Sequence, residues 1–194
     1  MAKAGSHNRS SIFRGEDDFF ATPPEATRAL LRANVLPTRV WEPACGEGHI
    51  SDVLKAAGHS VVSTTLRDQG YGAHGVDFLR CQWLLAPAII TNPPFRLADE
   101  FVAHALSLAP DVVAMFLRLK YLEGRTRFDT IHSRAPLAHV LVFIERIKFF
   151  SGEVDAEDQP GWNTEAFAWF VWKRGHVGAP TIGWLSRDGG VEKP

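Results

Sequence analysis

Four residues near the middle of the chain, Asn92, Pro93, Pro94 and Phe95, end the apolar run IITNPPFRL. Proline has no N–H, fixes its own φ and pushes the residue before it out of the helical region, so Asn-Pro-Pro makes a stiff, extended exit from a strand. Such an exit leaves backbone carbonyls as hydrogen-bond acceptors, beside an amide and an aromatic ring. A plain strand-to-helix turn accounts for these residues equally well when they are taken alone. The second candidate is WEPACGEGHI. Gly46 and Gly48 permit a tight turn and close approach of a ligand, the helix that follows offers free N–H groups, and Glu42 sets a carboxylate at the end of a strand. That set suits a ligand bearing an ammonium group. The missing third glycine argues against a dinucleotide fingerprint, and the absent G-K-[ST] excludes a phosphate-gripping loop.

These motifs need elements to hold them. RVWEP reads as a first strand, Ile50 to Ala57 as a helix stopped by Gly58, and HSVVSTTL as a second strand. The alternation continues with GVDFL as a weak third strand, APAIIT as a fourth, a helix over 97–108, DVVAMFLRL as a fifth, a helix over 122–130, and LAHVLVFIER as a sixth. EAFAWFVWKR supplies the last strand. Upstream, Thr22 is placed to cap a helix entered through Pro23 and Pro24 and ended before Pro37. Strands separated by helices imply an α/β sheet with helices on both faces. Residues 1–16 are expected to form a flexible N-terminal arm ahead of one domain over 17–194, and residues 151–164, acidic and Gly- and Pro-containing, a long exposed loop.

Composition bounds the function classes. At 194 residues and 45% hydrophobic content there is material for one well-buried domain. A net charge of -1 gives no global attraction to polyanions, so nucleic-acid contact needs a local basic patch. Arg118, Lys120, Arg125, Arg127, Arg146 and Lys148 follow the fifth and sixth strands, where either phosphate contacts or a solvated face would use them. The two cysteines, Cys45 and Cys81, are far apart and suggest neither a disulfide framework nor zinc, which fits a reducing, cytoplasmic setting. The eight histidines show no H-x-x-x-H pairing, so no metal site is expected. No apolar run is long enough to span a bilayer. Trp162, Trp169, Trp172 and Trp184 are candidates for stacking bases, although strand spacing favours packing for Trp169.

EPACGEG followed at a distance by NPPF, with FFATPPEATRALL upstream, resembles the S-adenosylmethionine-dependent amino-methyltransferases, most closely the DNA adenine-N6 methyltransferases of compact, phage- and prophage-borne type. The resemblance spans residues 17–173. It implies a Rossmann-like seven-stranded methyltransferase sheet with the last strand antiparallel, S-adenosylmethionine as cofactor, and DNA as substrate. Asn92, Pro93, Pro94 and Phe95 then become the catalytic turn. The Asn92 side chain and the Pro93 carbonyl would each accept one N–H of an exocyclic amine, and Phe95 would stack on a base swung out of its helix. The family pattern further places Thr22 and Pro23 near the methionine carboxylate, Glu42, Pro43, Ala44, Gly46 and Gly48 around the methionine moiety, and Asp77 and Phe78 near the adenine. One position departs from the pattern. Relatives carry a ribose-binding acid at the end of the second strand, where this chain has Thr65, with Asp68 the nearest acid; either Asp68 reaches in or ribose binding is weakened. With no separate target-recognition domain expected, selectivity would be low or come from a partner. The same chemistry also serves adenine in RNA or a glutamine side chain in a protein, and a noncatalytic module that keeps only the fold is the remaining alternative.

Overall fold

The computed structural model describes residues 20–147, 165–188 and 190–192. The expected N-terminal arm, the acidic loop with Trp162, and Lys148 lie outside the described residues. In chain order the elements are α1 (Pro24–Arg32), β1 (Arg39–Glu42), α2 (His49–Ala56), β2 (Ser60–Ser63), β3 (Ala88–Thr91), α3 (Ala98–Ser107), β4 (Val112–Arg118), α4 (Arg125–Arg127), β5 (Leu137–Phe143), β6 (Phe167–Lys173), β7 (Thr181–Ser186) and β8 (Gly190–Glu192).

They build one mixed sheet in the order β2-β1-β3-β4-β6-β5-β7-β8. β1, β2, β3 and β4 are mutually parallel, and β6 is inserted between β4 and β5 and runs against both. β3, β4 and β6 are near-continuous apolar runs because both of their faces are covered. The period-two alternation divides the core cleanly. Val40, Ile90, Ala114, Phe116, Trp169 and Val171 face α1 and α2, whereas Trp41, Ile89, Met115, Leu117, Phe170 and Trp172 face α3. Burying each of these large side chains contributes about 1.5–3 kcal/mol before entropy is charged. Trp169 and Trp172 are both packing residues, and the Trp169 indole N–H donates to the Ala26 carbonyl at 2.9 Å, tying β6 to α1.

The expected mixed sheet with covered faces and an antiparallel β6 is present; the strand count differs at both ends. GVDFL is not a strand. Gly70, Gly72 and Gly75 take positive φ, the Asp77 carboxylate accepts the Leu79 N–H, and Phe78–Arg80 winds into a 3-10 turn. Only Ala73 still pairs, through one parallel bridge to Thr64, so β2 ends the sheet. At the other edge β7 runs parallel to β5 and is followed antiparallel by β8, neither of which the sequence pattern announced. The expected helix over 122–130 is reduced to α4 and a π-turn over Phe128–His132, because Gly124 at φ 114 breaks the run ahead of it. Thr22 does not cap α1: Pro23 holds the cap position without a side-chain bond and Thr22 is buried.

Gly48 shows how tightly the turn after β1 is built. It has φ 90, and a Cβ there would lie 2.4 Å from the Tyr71 ring. That ring is pinned: its hydroxyl donates to Asp52 at 2.5 Å and accepts from Lys55 at 2.8 Å. Gly48→Ala is therefore expected to cost about 2 kcal/mol, lowering the melting temperature by roughly 4–8 °C. Adding Tyr71→Ala should recover part of that loss, and strictly additive losses in thermal denaturation would show that the ring is not the obstacle.

Candidate active site

β1 and β3 are neighbours, yet the chain leaves β1 toward β2 on one side and returns to β3 on the other. Where successive connections diverge in this way, a crevice opens beyond the carboxyl ends of the strands. The two motifs of the sequence stand at its edges, Pro43–Gly46 after β1 and Asn92–Phe95 after β3. Between them is a cavity of about 260 Å³. Pro43, Ala44, Gly46, Thr65, Asp77, Phe78, Asn92, Pro93, Pro94 and Phe95 all line it, so ten of the residues expected from sequence are brought together.

Five are not. Thr22 and Pro23 immediately precede α1, are buried, and are not among the lining residues. Gly48 is occupied with Tyr71. Asp68 is exposed; its carboxylate accepts the Gly70 N–H at 2.9 Å and stands 3.8 Å from His74. Glu42 requires a correction. The pleat that sends Val40 toward α1 and α2 sends Glu42 the same way, so its carboxylate points under α2 instead of into the crevice. There it accepts a short hydrogen bond from the Ser51 hydroxyl, which is in turn 2.6 Å from Ser63. Burial pushes the Glu42 carboxyl up from 4.5 to about 8, against the opposing effect of the Ser51 hydrogen bond. Bonded to Ser51 of α2 and off the lining of the cavity, this carboxyl does not face a ligand held there.

At the Asn92–Phe95 turn the central observation concerns the Asn92 amide. Its Nδ2 donates to the Phe20 carbonyl at 3.0 Å, a contact across 72 positions of chain. Its Oδ1 is buried and has no hydrogen-bond partner among the described residues. An orphaned buried acceptor carries a cost of about 1–3 kcal/mol, and its natural complement is an N–H donor brought by a ligand. Phe95 packs near-parallel to Phe20, ring centres 5.1 Å apart, and carries the Arg118 guanidinium 4.4 Å from its own centre.

Several lining residues had no sequence signal of their own. Leu66, Val76, Leu79 and Phe101 add apolar lining, and Arg67 and Gln69 join Thr65 from the segment after β2. Their spacing in the chain is irregular because most come from the irregular segment between β2 and β3 and Phe101 comes from α3. Cys45 is buried, and burial together with the nearby Glu42 pushes its thiol up to about 11, so it offers no nucleophile at neutral pH. The basic residues beyond β4 are paired: Arg118 and Lys120 share Glu165 at 2.8 Å each, Arg125 meets Asp129, and Arg127 meets Asp99. Among the described residues no group of three or more His, Cys, Asp or Glu side chains stands close enough to hold a metal ion, and no helix is long and apolar enough to cross a membrane.

No protein-family model and no curated protein matches the sequence. Solved structures do. The methyltransferase subunit of a type I restriction-modification system from Streptococcus thermophilus superposes with TM-score 0.64 at 13% identity, over 86% of this chain and 47% of that one. A candidate RNA methyltransferase from Pyrococcus horikoshii gives TM-score 0.58 at 15% identity, over 79% and 85% of the two chains. A candidate class I S-adenosylmethionine-dependent methyltransferase from Listeria monocytogenes gives 0.55 at 11%, over 87% and 67%. The fold is that of the S-adenosylmethionine-dependent methyltransferases. In this methyltransferase fold the β1/β3 crevice and the antiparallel β6 are parts of one architecture, and the chain spans about half the length of the Streptococcus subunit.

The buried carboxyl of Glu42 yields a prediction on stability. Below pH 4.5 it is protonated in both folded and unfolded chains, and above about 8 it is ionised in both. Between those values the folded chain keeps a proton that the unfolded chain has released, so the Glu42 contribution to stability is lost as pH rises. Melting curves of Glu42→Gln should gain on the parent protein from pH 5 to pH 8 and keep a constant offset from it above that. Curves that stay parallel throughout would mean that Glu42 ionises freely in the fold.

Proposed function

We propose that this protein transfers the methyl group of S-adenosylmethionine to the exocyclic N6 amine of adenine in DNA. The observation that carries the proposal is the buried, unpartnered Oδ1 of Asn92 beside a cavity shared by the turns after β1 and β3. The residues present fit the cofactor. Phe78, Leu79, Val76 and Phe101 make an apolar wall for a flat ring, Thr65 and Gln69 offer a hydroxyl and an amide where relatives place a ribose-binding acid, and the Pro43–Gly46 turn brings main-chain groups to the methionine end. Bound there, S-adenosylmethionine supplies an electrophilic sulfonium methyl that an amine nitrogen takes directly.

The protein's own task is to make a poor nucleophile competent. The lone pair of an aromatic amine is delocalised into its ring. Asn92 Oδ1 and the Pro93 carbonyl, each accepting one N–H, draw that pair toward the nitrogen and aim it, while Pro93 and Pro94 hold both oxygens still. The nitrogen loses its surplus proton to water after transfer, so no strong base is needed, and none stands at the turn. Phe95 provides an aromatic surface for a base taken out of the stack. The resemblance of EPACGEG and NPPF to the adenine-N6 enzymes supports adenine over other amines. Because the basic residues beyond β4 are already paired, DNA phosphates would have to compete with Glu165 and Asp99, which fits low selectivity or help from a partner in place of strong nonspecific binding.

Asn92→Ala should lower the rate of methyl transfer to DNA by at least 100-fold, the scale of losing one transition-state hydrogen bond, while cofactor affinity in calorimetry changes less than about 3-fold. Retained transfer would remove the role given to this turn. Loss of cofactor binding in step with activity would show that Asn92 serves the cofactor instead of the amine.

A further inference from the structure

Arg118 closes β4, Lys120 stands in the turn that follows, and both cations converge on one carboxylate, Glu165, just ahead of β6. Arg118 Nε meets Glu165 Oε2 and Lys120 Nζ meets Glu165 Oε1, each at 2.8 Å. The sheet sets the frame around them: Arg118 pairs with Phe167 in the antiparallel register, and the Leu119 N–H donates to the Ala166 carbonyl at 2.7 Å. Stability does not account for the arrangement. The Lys120 and Glu165 side chains are 56% and 37% exposed, and ion pairs so open to water contribute little. Two cations gripping the two oxygens of one anion do reproduce the way proteins hold a phosphate. The trio borders a cavity of about 310 Å³. Arg118 and Lys120 also line a second cavity, of about 480 Å³, that reaches Phe95 and Arg96. The Arg118 guanidinium lies 4.4 Å from the centre of the Phe95 ring, so it stands between the Asn92–Phe95 turn and the carboxylate.

We propose that Glu165 is a resident stand-in for a backbone phosphate: it holds Arg118 and Lys120 in the free protein and yields them to a phosphodiester of the bound strand. The inference rests on the DNA reading above and adds a control on how tightly DNA is held. A strand whose base stands against Phe95 continues past the second cavity, where Arg96 and Arg127 join Arg118 and Lys120. Arg127 belongs to the wall: it pairs with Asp99, donates to the Tyr121 and Glu123 carbonyls and lies over the Tyr121 ring. Glu165 differs from Asp99 in gripping both members of the Arg118–Lys120 pair, and its exposure lets the carboxylate turn into water without burying a charge. The exchange replaces one anion by another at the same two cations. Its consequence is a binding surface discounted by one negative charge, on which DNA that offers no base to the turn gains little.

The test is the binding of fluorescently labelled, unmethylated duplex DNA to the full chain, followed by anisotropy over a series of salt concentrations. Glu165→Gln keeps the size of the side chain and drops its charge. DNA affinity should then rise at least about 3-fold at low salt, and the plot of log K against log salt should steepen by about one unit. Adding Lys120→Ala should take that gain back. Affinity for S-adenosylmethionine should stay within about 2-fold in both variants, because neither residue lines the cavity between the turns after β1 and β3. A damaged fold lowers both affinities, so a gain in one is not a by-product of instability. DNA affinity at or below the parent's in Glu165→Gln, with S-adenosylmethionine binding intact, would overturn the proposal and leave the trio as a structural clasp. Should Glu165→Gln lose S-adenosylmethionine binding as well, Glu165→Ser takes its place with the same expected gain. Inorganic phosphate should displace DNA no better than chloride at equal ionic strength, and stronger displacement would assign the pair to a free phosphate group and overturn the strand reading. Methyl transfer by the parent separates the two claims: DNA methylated without a gain in Glu165→Gln removes only this inference, whereas the gain without any transfer removes only the chemistry given to Asn92.

Discussion

A side-chain amide has two ends that differ only in whether they give or take a hydrogen bond, and at Asn92 the backbone of Phe20 settles which is which. By accepting from Nδ2 it leaves Oδ1 buried and unsatisfied at a turn that lines the cavity. Reversing the amide would set two oxygens against each other and bury an unpaired donor. The orientation of the amide is thus set by the fold itself, and several elements hold that arrangement. The prolines fix the turn, α1 is drawn to the sheet by the Trp169 bond to Ala26, and the segment ahead of α1 is thereby brought to the end of β3.

The other wall of the crevice is held by different means. Glu42, Ser51 and Ser63 form a buried polar cluster under the amino end of α2, which fixes the height at which the Gly46–Gly48 turn leaves β1. Tyr71, anchored by Asp52 and Lys55, closes over Gly48 from the segment that follows β2. That segment has surrendered a strand. In exchange it delivers Thr65, Arg67, Gln69, Asp77 and Phe78 to one side of the cavity. A buried carboxyl, a phenol and several positive-φ glycines thus hold the side of the cavity after β1, as one amide hydrogen bond holds the side after β3.

Much of this was legible in the chain. The apolar runs of β3, β4 and β6 gave their burial away, and the placing of both motifs at the carboxyl ends of neighbouring parallel strands made a shared cavity the natural outcome. Three things were hidden for physical reasons. The contact of Phe20 with Asn92 is made by a backbone oxygen, which every residue possesses, so no side-chain pattern marks it. GVDFL has strand-like composition, but glycines upstream and the Asp77 cap favour a turn that composition alone does not weigh. Glu42 was readable in principle: strict alternation from Val40 puts it beneath α2, and only the pull of the motif placed it in the crevice. β7 was missed because its exposed Ile182 and Trp184 and the interrupting Gly183 break the apolar pattern that marked the other strands.

The central claim is that an amine of adenine meets the orphaned oxygen of Asn92. It is tested most directly by incubating the protein with methyl-labelled S-adenosylmethionine and unmethylated duplex DNA, single-stranded DNA, RNA and a protein extract in parallel, then digesting each to its components. Label recovered as N6-methyladenine from DNA is the predicted result. Label in cytosine, in a protein side chain, or in none of the four would contradict it.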